Sequence, residues 1–326
     1  MSERDTVAFL ETVSLFEGMR RSELVELARV MRRRSVSAGD VLWLQGDEAK
    51  GLALIVDCRV SVTLRLPGDQ TLELSDAGPG ETLGELALID GRSHSATARV
   101  TEPGTVLFLS PLDFAALVSR RGPSAFALKR RFATVTTSRL RRQLAFLGES
   151  LGPRALSGDG ADDAKAFAEL EFCGPPQSAY VRRMASFRAF DTLALWAFIT
   201  AGRYARCPRG SILDAEGAPQ SACYLVINGA VEKVLIRGDR RIRVGLAGPG
   251  QAFGYEGLID GEPAAVTTIT RERALLLVLP PKAFERLFGG DGDESLVFLD
   301  VINRDLATGL RQAARPQAQL AVRPLA

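Results

Sequence analysis

Two glycine-rich loops of this chain carry residue types that could hold a small anionic ligand. The first loop, residues 77–91, reads AGPGETLGELALIDG, and the second, residues 247–261, reads AGPGQAFGYEGLIDG. Nine of the fifteen paired positions are identical, which identifies an internal repeat. The differences include a polar position, where Glu85 of the first loop is matched by Tyr255 of the second. The two loops therefore share a pattern but not the same binding chemistry.

Other reactive arrangements are not visible in the sequence. His94 is the single histidine, and the four cysteines are scattered without the close spacing that binds zinc: Cys58, Cys173, Cys207 and Cys223. No nucleophile and base are placed together either. We therefore expect no catalytic residue, no metal site and no cofactor, and predict that the protein is not an enzyme. The cysteines are expected to be free thiols in a reducing compartment.

The length and the net charge of the chain limit the classes of protein to which it can belong. A chain of 326 residues with 46% hydrophobic and 25% charged residues predicts two soluble globular domains. The net charge of +2 gives no reason to expect DNA or a membrane as a partner. Three arginine-rich runs, at 32–34, 129–131 and 139–142, are interpreted as solvated helix faces and ends. We expect a cytoplasmic protein, because no apolar run is long enough to span a bilayer.

The repeat extends well beyond the two loops. Residues 13–68 align without a gap on residues 184–239 at an offset of 171, and the offset is 170 from Ala77 onward. The one-residue length change falls where both copies carry Gly-Asp, which is typical of a hairpin turn. Length changes are tolerated best at hairpin tips, so the position of this change supports the alignment.

Each copy has the same predicted order of elements, in which a short helix precedes several short strands separated by glycine-rich turns. The predicted strands of the first copy are 41–44, 52–56, 60–66, 71–74, 96–100 and 106–109. Those of the second copy are 212–213, 223–227, 231–236, 241–246, 266–270 and 275–279. Such strands predict an antiparallel barrel or jelly roll. Two helices are predicted to follow each barrel, opening at Pro111 and Pro123 and at Pro281 and about Asp293.

These elements predict four segments. Residues 1–147 form a first domain, 148–178 a linker with a short helix over 161–172, and 179–313 a second domain. Residues 314–326 are predicted to be a disordered tail. The two long helices each have an apolar face, which packs onto the helix's own barrel, caps a ligand pocket or pairs with another subunit in a homodimer.

A helical lead-in, a small jelly roll, a loop reading GELALI and two following helices resemble the cyclic nucleotide-binding domain. This domain is the sensor module of the catabolite activator protein and of the regulatory subunit of cAMP-dependent protein kinase. The resemblance covers most of the chain as two tandem copies. It implies a mainly β, α+β fold with two tandem jelly-roll barrels flanked by helices, and a cyclic nucleotide, cAMP or cGMP, as the ligand.

The resemblance also implies a ligand site in the first copy. Gly84 matches the glycine that lets the backbone approach the ligand, and Glu85 matches the glutamate that accepts a hydrogen bond from the ribose. His94 stands where the family places the arginine that neutralises the phosphate. A histidine is mostly neutral at pH 7, so binding is expected to be weak and pH-sensitive. The remaining implied contacts are Leu86, Ala87, Ser93, Ser95, Ala96 and Thr97.

The second copy departs further from the family pattern. It keeps Gly254, but Tyr255 replaces the glutamate and Ala264 replaces the arginine. Glu256 could take the glutamate's place only through a one-residue slip, and Ala265 completes the stretch. The second domain is therefore predicted to be degenerate, with a structural or protein-binding role.

Three hypotheses on function follow. In the first, a cyclic nucleotide bound in the first barrel shifts the helices after it and alters contact with a regulated partner protein. In the second, both pockets are vestigial and the barrels serve as a protein-interaction scaffold. In the third, the first pocket binds another small anion. DNA binding is not expected, because the residues after Pro281 show no basic recognition helix.

Overall fold

A computed structural model describes residues 2–66, 71–150, 170–176, 192–237 and 240–322, with a few single positions between 181 and 187. The chain forms two compact units, one built on Met1–Val135 and the other on Thr136–Leu320. Within the described ranges, no helix combines the length and the apolar character needed to cross a membrane.

Two capped helices lead into the first barrel. Helix α1 (Glu3–Leu10) begins at a capping box, in which Ser2 accepts a hydrogen bond from the Asp5 amide and Asp5 accepts one from the Ser2 amide. Helix α2 (Arg21–Val30) buries Leu24 and Leu27 at helical spacing. These helices, with strands of the barrel, form one apolar cluster of the first unit.

The first barrel consists of two four-stranded antiparallel sheets. Its strands are β1 (Arg32–Val36), β2 (Val41–Trp43), β3 (Leu52–Ile55), β4 (Arg59–Arg65), β5 (Thr71–Ala77), β6 (Thr82–Leu83), β7 (Thr97–Glu102) and β8 (Gly104–Leu109). One sheet has the order β1-β8-β3-β6 and the other β2-β7-β4-β5. Helix α3 (Glu85–Asp90) lies between β6 and β7 in the chain. Residues from both sheets, such as Ile55 and Val60, meet in the barrel core.

Two helices follow the first barrel. Helix α4 (Pro111–Ser119) begins after Ser110, whose hydroxyl accepts a hydrogen bond from the Asp113 amide. Helix α5 (Pro123–Ser150) comes next. The boundary between the two units falls inside α5, so its first half belongs to the first unit and its second half to the second.

The second unit repeats this architecture. Its elements are β9 (Glu171–Cys173), α6 (Thr192–Ile199), β10 (Arg203–Cys207), β11 (Ile212–Asp214), β12 (Cys223–Asn228), β13 (Val231–Arg237), β14 (Arg240–Ala247), β15 (Ala252–Phe253), α7 (Glu256–Asp260), β16 (Thr267–Thr270), β17 (Ala274–Leu279), α8 (Pro281–Gly289) and α9 (Asp293–Val322). The sheet β11-β16-β13-β14 matches β2-β7-β4-β5 of the first barrel. The other sheet, β15-β12-β17-β10-β9, matches β6-β3-β8-β1 with β9 added at the edge.

The added strand β9 comes from the predicted linker. It runs antiparallel to β10, with Cys173 opposite Tyr204 and Glu171 opposite Arg206. The short helix predicted over 161–172 lies mostly outside the described residues, and its last two positions are in β9. Pairing with β10 satisfies the backbone groups of these positions without a helix.

The jelly-roll prediction is confirmed, and two local predictions need revision. Arg32, Arg33 and Arg34 are not a helix end: they lie in β1, where pairing with β8 fixes the extended backbone. The last helix continues past its predicted end at Ala313 to Val322, although the run includes Pro316, which removes one helical hydrogen bond; the alanines and glutamines around it favour a helix. Residues 323–326 of the predicted disordered tail lie outside the described residues.

The apolar faces of the two long helices are buried within the chain. Phe132 and Leu144 of α5, and Leu299 and Leu306 of α9, are each less than 7% exposed. This burial is the outcome expected when each helix packs onto elements of its own chain. Homodimerisation through these helices stays a prediction.

Candidate functional site

The first glycine-rich loop requires a glycine at position 84. Gly84 has φ +85°, and a Cβ atom there would lie 2.3 Å from the Gly51 carbonyl oxygen and 3.0 Å from the Trp43 ring. Only glycine therefore permits both this backbone conformation and this close approach. Gly84 is the N-cap of α3, so the amides of the first helical turn have no acceptor within the helix.

The residues after Gly84 lie at the start of α3. Glu85 is 6% exposed, Leu86 is half-buried and Ala87 is buried. A carboxylate in the first turn of a helix is favoured by the helix dipole. The predicted glycine, glutamate and amide positions are thus held together on one short segment, as a ligand contact through them would require.

His94 makes its contacts inside the protein. Its ring is buried and stacks on Trp43, with the ring centroids 4.2 Å apart and the planes 8° from parallel. Its Nε2 accepts a hydrogen bond from the Lys50 amide at 3.0 Å, which occupies the lone pair of this nitrogen. His94 thus has a structural role in this structure, and its predicted contact with a phosphate stays a prediction.

Trp43 and Lys50 could not be found from the repeated loop, because neither residue lies in it. The alignment of the two copies holds the available signal, since Trp43 is matched by Asp214 at the offset of 171. An aromatic ring in one copy and a carboxylate in the other mark two differently built pockets.

The other predicted contacts of the first site differ in exposure. Ser93 and Ser95 are exposed and Ala96 is buried. The Thr97 hydroxyl accepts a hydrogen bond from the Gln45 amide at 3.0 Å. The structure thus joins the 93–97 stretch to the loop that follows β2.

That loop also holds an ion pair. Lys50 Nζ lies 2.8 Å from a carboxylate oxygen of Asp47. The Leu44 amide, which donates to Asp47, and Lys50 together lower the pKa of the Asp47 carboxyl. The loop that contacts His94 therefore carries both charge signs at the surface.

The second loop reproduces the backbone geometry of the first. The Ala264 amide donates to the Ala218 carbonyl at 2.8 Å, as the His94 amide donates to that of Asp47 at 2.8 Å. The Ala264 carbonyl accepts from Gly217 at 2.8 Å, as that of His94 accepts from Gly46 at 2.9 Å. Ala264 therefore occupies the position of His94, and Ala265, which follows it, is half-buried.

Tyr255 fastens the second loop to the last helix. It is fully buried, and its hydroxyl donates to Asp305 Oδ2 of α9 at 2.6 Å. Lys233 Nζ of β13 donates to the same oxygen at 3.0 Å. We call Tyr255, Lys233 and Asp305 the α9 latch. The sequence argument treated Tyr255 as the loss of a polar anchor, whereas its hydroxyl bonds a carboxylate of the same chain.

The titratable groups of the latch shift one another's pKa values. Burial raises the pKa of the Asp305 carboxyl, although Lys233 and the Tyr255 hydroxyl lower it in part. The pKa of Lys233 is raised overall. Burial alone would lower it, but the carboxylates of Asp305 and Glu256 have the larger combined effect, so the amine stays charged. Burial and the nearby Asp305 raise the pKa of Tyr255 well above its ordinary value, which keeps the hydroxyl a donor.

Glu256 and Asp214 extend this buried network. A Glu256 oxygen lies 4.0 Å from Lys233 Nζ, and another accepts a hydrogen bond from the Tyr255 amide at 3.1 Å. Burial and the charge of Glu256 raise the pKa of Asp214 to about 7. Gly254 has φ +73°, and a Cβ there would lie 3.0 Å from an Asp214 oxygen. The predicted glycine of the second loop is thus required by its own surroundings.

A cavity of about 650 Å³ lies in the second unit beside Ala264 and Ala265. The second half of α5 forms one wall with Arg141, Leu144, Ala145, Gly148 and Glu149, and the barrel supplies Glu216, Gly217, Leu235 and Arg237. This volume lies in the range of small-molecule pockets. Both arginines have carboxylate partners, Arg141 with Asp260 and Arg237 with Glu216.

Fold, repeated loops and sequence pattern together define the class of the protein. The sequence pattern of the cyclic nucleotide-binding domain matches residues 33–121 and again residues 205–291, together more than half of the chain. The chain belongs to the cyclic nucleotide-binding domain family, with two such domains in tandem.

Particular relatives share one stretch of the chain each. A cyclic nucleotide-gated potassium channel of Mesorhizobium japonicum is 36% identical over 107 residues, which are 33% of this chain and 28% of the channel. The cAMP-dependent protein kinase type II regulatory subunit of Drosophila melanogaster is 32% identical over 121 residues, 37% of this chain and 31% of the subunit. The matches thus span about a third or less of these two curated relatives.

Among solved structures, the regulatory domain of Toxoplasma gondii PKA with cAMP covers 89% of this chain and 93% of its own. Its sequence identity to this chain is 18% and its TM-score is 0.34.

Proposed function

We propose that this protein is a non-enzymatic, cytoplasmic regulatory protein that senses a cyclic nucleotide, cAMP or cGMP, in its first domain. The observation that carries the proposal is the segment Gly84–Ala87. It combines a glycine conformation that no other residue fits, a carboxylate for the ribose and amides at a helix start for the phosphate.

The signal is proposed to leave the first domain through its following helices and to change contact with a regulated partner protein. Helix α5 supports this route because it begins in the first unit and ends in the second. Arg131 of α5 donates to the Leu15 carbonyl at 2.9 Å within the first unit. Arg141 donates to the Asp260 carboxylate at 2.5 and 3.0 Å within the second. A ligand that binds two arrangements of such a helix with different affinity shifts their populations.

The alternative is a protein-interaction scaffold with two vestigial pockets, and two observations favour it. His94 already uses its Nε2 for the Lys50 amide, and Tyr255 of the second loop already uses its hydroxyl for Asp305 of α9. Under this alternative, neither barrel binds a nucleotide and both serve only as protein surfaces. A different small anion in the first pocket is a third candidate that the same experiment tests.

Calorimetric titration of the full chain separates these functions. The ligands are cAMP, cGMP, a cyclic dinucleotide and inorganic phosphate, each at pH 6 and pH 8. The proposal expects saturable binding of cAMP or cGMP, at least tenfold weaker in Glu85→Ala. Restoring the family's arginine with His94→Arg should tighten binding by about 10- to 100-fold, since a charge-assisted hydrogen bond contributes about 1.5–3 kcal/mol. Ser93→Arg, at an exposed neighbouring position, is the matched control and should not tighten it.

Every other outcome of the titration would indicate a different function. No heat at millimolar nucleotide in either buffer would support the scaffold. Binding that survives both Glu85→Ala and His94→Ala would contradict the proposed site and move attention to the cavity beside Ala264. Binding of inorganic phosphate alone would favour the third candidate.

A further inference from the structure

The two barrels differ at one sheet edge. Strand β10 of the second barrel is covered on its outer side by β9, whereas its counterpart β1 is the terminal strand of its sheet among the residues that the structure describes. The residues on the two strands also differ in exposure. Tyr204 and Ala205 of β10 are 3% and 0% exposed, whereas the matching Arg33 and Arg34 of β1 are exposed. The first barrel thus presents an open edge where the second presents a filled one.

The filled edge shows how such a strand is recognised. The Glu171 carboxylate of β9 lies 3.9 Å from the Arg206 guanidinium, directly across the strand pair. The Arg203 guanidinium lies 3.6 Å from the centre of the Phe172 ring, within the distance of a cation–π contact. An acidic residue followed by an aromatic one is therefore held by two arginines in addition to backbone pairing.

The open edge carries related chemistry, in which Arg32 corresponds to Arg203 but Ser35 stands in the place of Arg206. At the offset of 171, Arg32 takes the place of Arg203, and Arg33, Arg34 and Ser35 take the places of the three β10 residues paired with β9. All four are exposed, and the Arg32 side chain is 79% exposed although it forms an ion pair with Asp113 at 3.6 Å. Because side chains alternate along a strand, Arg32 and Arg34 project from one face of β1 and Arg33 from the other, so both faces beside this edge carry positive charge.

We propose that the outer edge of β1 binds an extended acidic segment of a partner protein, which adds to the sheet as an antiparallel strand opposite Arg33, Arg34 and Ser35. The preferred segment has an acidic residue next to an aromatic one, as in β9; in that register the acidic residue lies opposite Ser35, with Arg33 as its diagonal neighbour on the same face. Strand addition of this kind takes its affinity from main-chain hydrogen bonds and its specificity from alternate side chains. The arginines also oppose pairing of this edge with another copy of itself, because like charges would face each other.

This surface goes beyond the proposed nucleotide site and does not depend on it. The β1 edge and the Gly84 loop have no residue in common, and the binding expected at β1 needs no nucleotide. A failed nucleotide titration therefore leaves this inference standing, and a failed peptide titration leaves the proposed function standing.

The test uses the full chain and a peptide of known sequence. A fluorescein-labelled peptide of residues 168–175, AELEFCGP with its cysteine replaced by serine, is titrated by fluorescence anisotropy. We expect saturable binding that weakens as salt is raised, and at least a tenfold loss in the double variant Arg33→Glu/Arg34→Glu. Arg120→Glu, at an exposed arginine outside β1, is the matched control and should bind as the unmodified protein does.

Amide chemical shifts distinguish the β1 edge from other positions, and circular dichroism checks that each variant is folded. Shifts confined to 32–36 and to the paired strand β8 are expected. Shifts at β10 instead would show that the peptide displaces β9 and would overturn the proposal. Equal binding of a peptide with both glutamates changed to lysine would overturn it too, as would no binding at millimolar peptide. Sedimentation of the protein without peptide is also needed. A dimer that forms in the unmodified protein and is lost in Arg33→Glu/Arg34→Glu would contradict the proposal, because it would mean that a second copy occupies the edge.

Discussion

Replacing Tyr255 with phenylalanine tests the α9 latch directly. The change removes the hydroxyl that donates to Asp305 at 2.6 Å and leaves the buried ring in place. Asp305 then keeps Lys233 as its remaining donor in the latch. A hydrogen bond to a charged group contributes about 1.5–3 kcal/mol, so α9 should be held less tightly by that amount.

Hydrogen exchange is the suitable assay because the chain contains two units and need not unfold in one step. Amides of α9 around Asp305 should exchange about 10- to 150-fold faster in Tyr255→Phe, which is the same free energy expressed as an opening equilibrium. Thermal unfolding of the second unit should move down by about 3–12 °C, given about 2–4 °C for each kcal/mol in a unit of this size.

A matched variant separates the latch from the general loss of a buried hydroxyl. Tyr204 is also buried in the second unit, and its hydroxyl donates to the uncharged Ile199 carbonyl at 3.1 Å. Tyr204→Phe should therefore cost less, about 0.5–1.5 kcal/mol, and should leave exchange in α9 unchanged. If Tyr255→Phe accelerates α9 no more than Tyr204→Phe does, the latch does not hold the helix. A double-mutant cycle with Asp305→Asn should show a coupling of at least about 1 kcal/mol.

Two further predictions concern the glycine-rich loops and their surroundings. The raised pKa of Asp214, from 3.8 to about 7, means that the folded chain binds a proton which the unfolded chain releases, so stability should fall as pH rises from about 4 to 7. The full effect is at most about 4 kcal/mol. Urea unfolding of the second unit at pH 5 to 8 should show the free energy of unfolding decreasing as pH rises. Asp214→Asn should remove this pH dependence, and the control Asp291→Asn should keep it. Gly84→Ala should destabilise the first unit at least about twice as much as the control Gly39→Ala, which costs about 1 kcal/mol. Both glycines have positive φ, but only at position 84 would a Cβ atom press against a carbonyl oxygen. Equal losses in chemical denaturation would contradict this argument.

The barrel strands could be predicted because their signal is local. Most predicted strands coincide with observed ones to within a few residues, since alternating apolar residues and glycine turns mark each of them. Strand β1 was missed because three of its five residues are arginines, which carry no apolar alternation. Strand β9 was missed because it pairs with β10, more than thirty residues further along the chain.

The backbone of the candidate loop could be predicted from the sequence, but its side-chain contacts could not. The repeat identified Gly84 as the glycine before a helix start, because spacing is preserved between copies, and ligand contacts of Glu85 and His94 stay predictions. The stacking of His94 on Trp43 depends on two residues brought together by the fold. Tyr255 likewise meets Asp305 across 50 residues of chain. Such contacts produce no periodic pattern in the sequence. The sequence therefore shows which side chain is present but not which group it bonds.

The course of α5 has a practical consequence for anyone who divides this chain. A fragment that starts after the first domain, at residue 148, would lose Arg141, Leu144 and Ala145, which wall the cavity of the second unit. A fragment that starts at residue 136 would keep the wall but begin in the middle of α5, without the first half of that helix. Because helical backbone resists proteases, limited digestion is not expected to cut at this boundary. Recombinant halves that each carry the whole of α5 are the fair comparison with the intact protein.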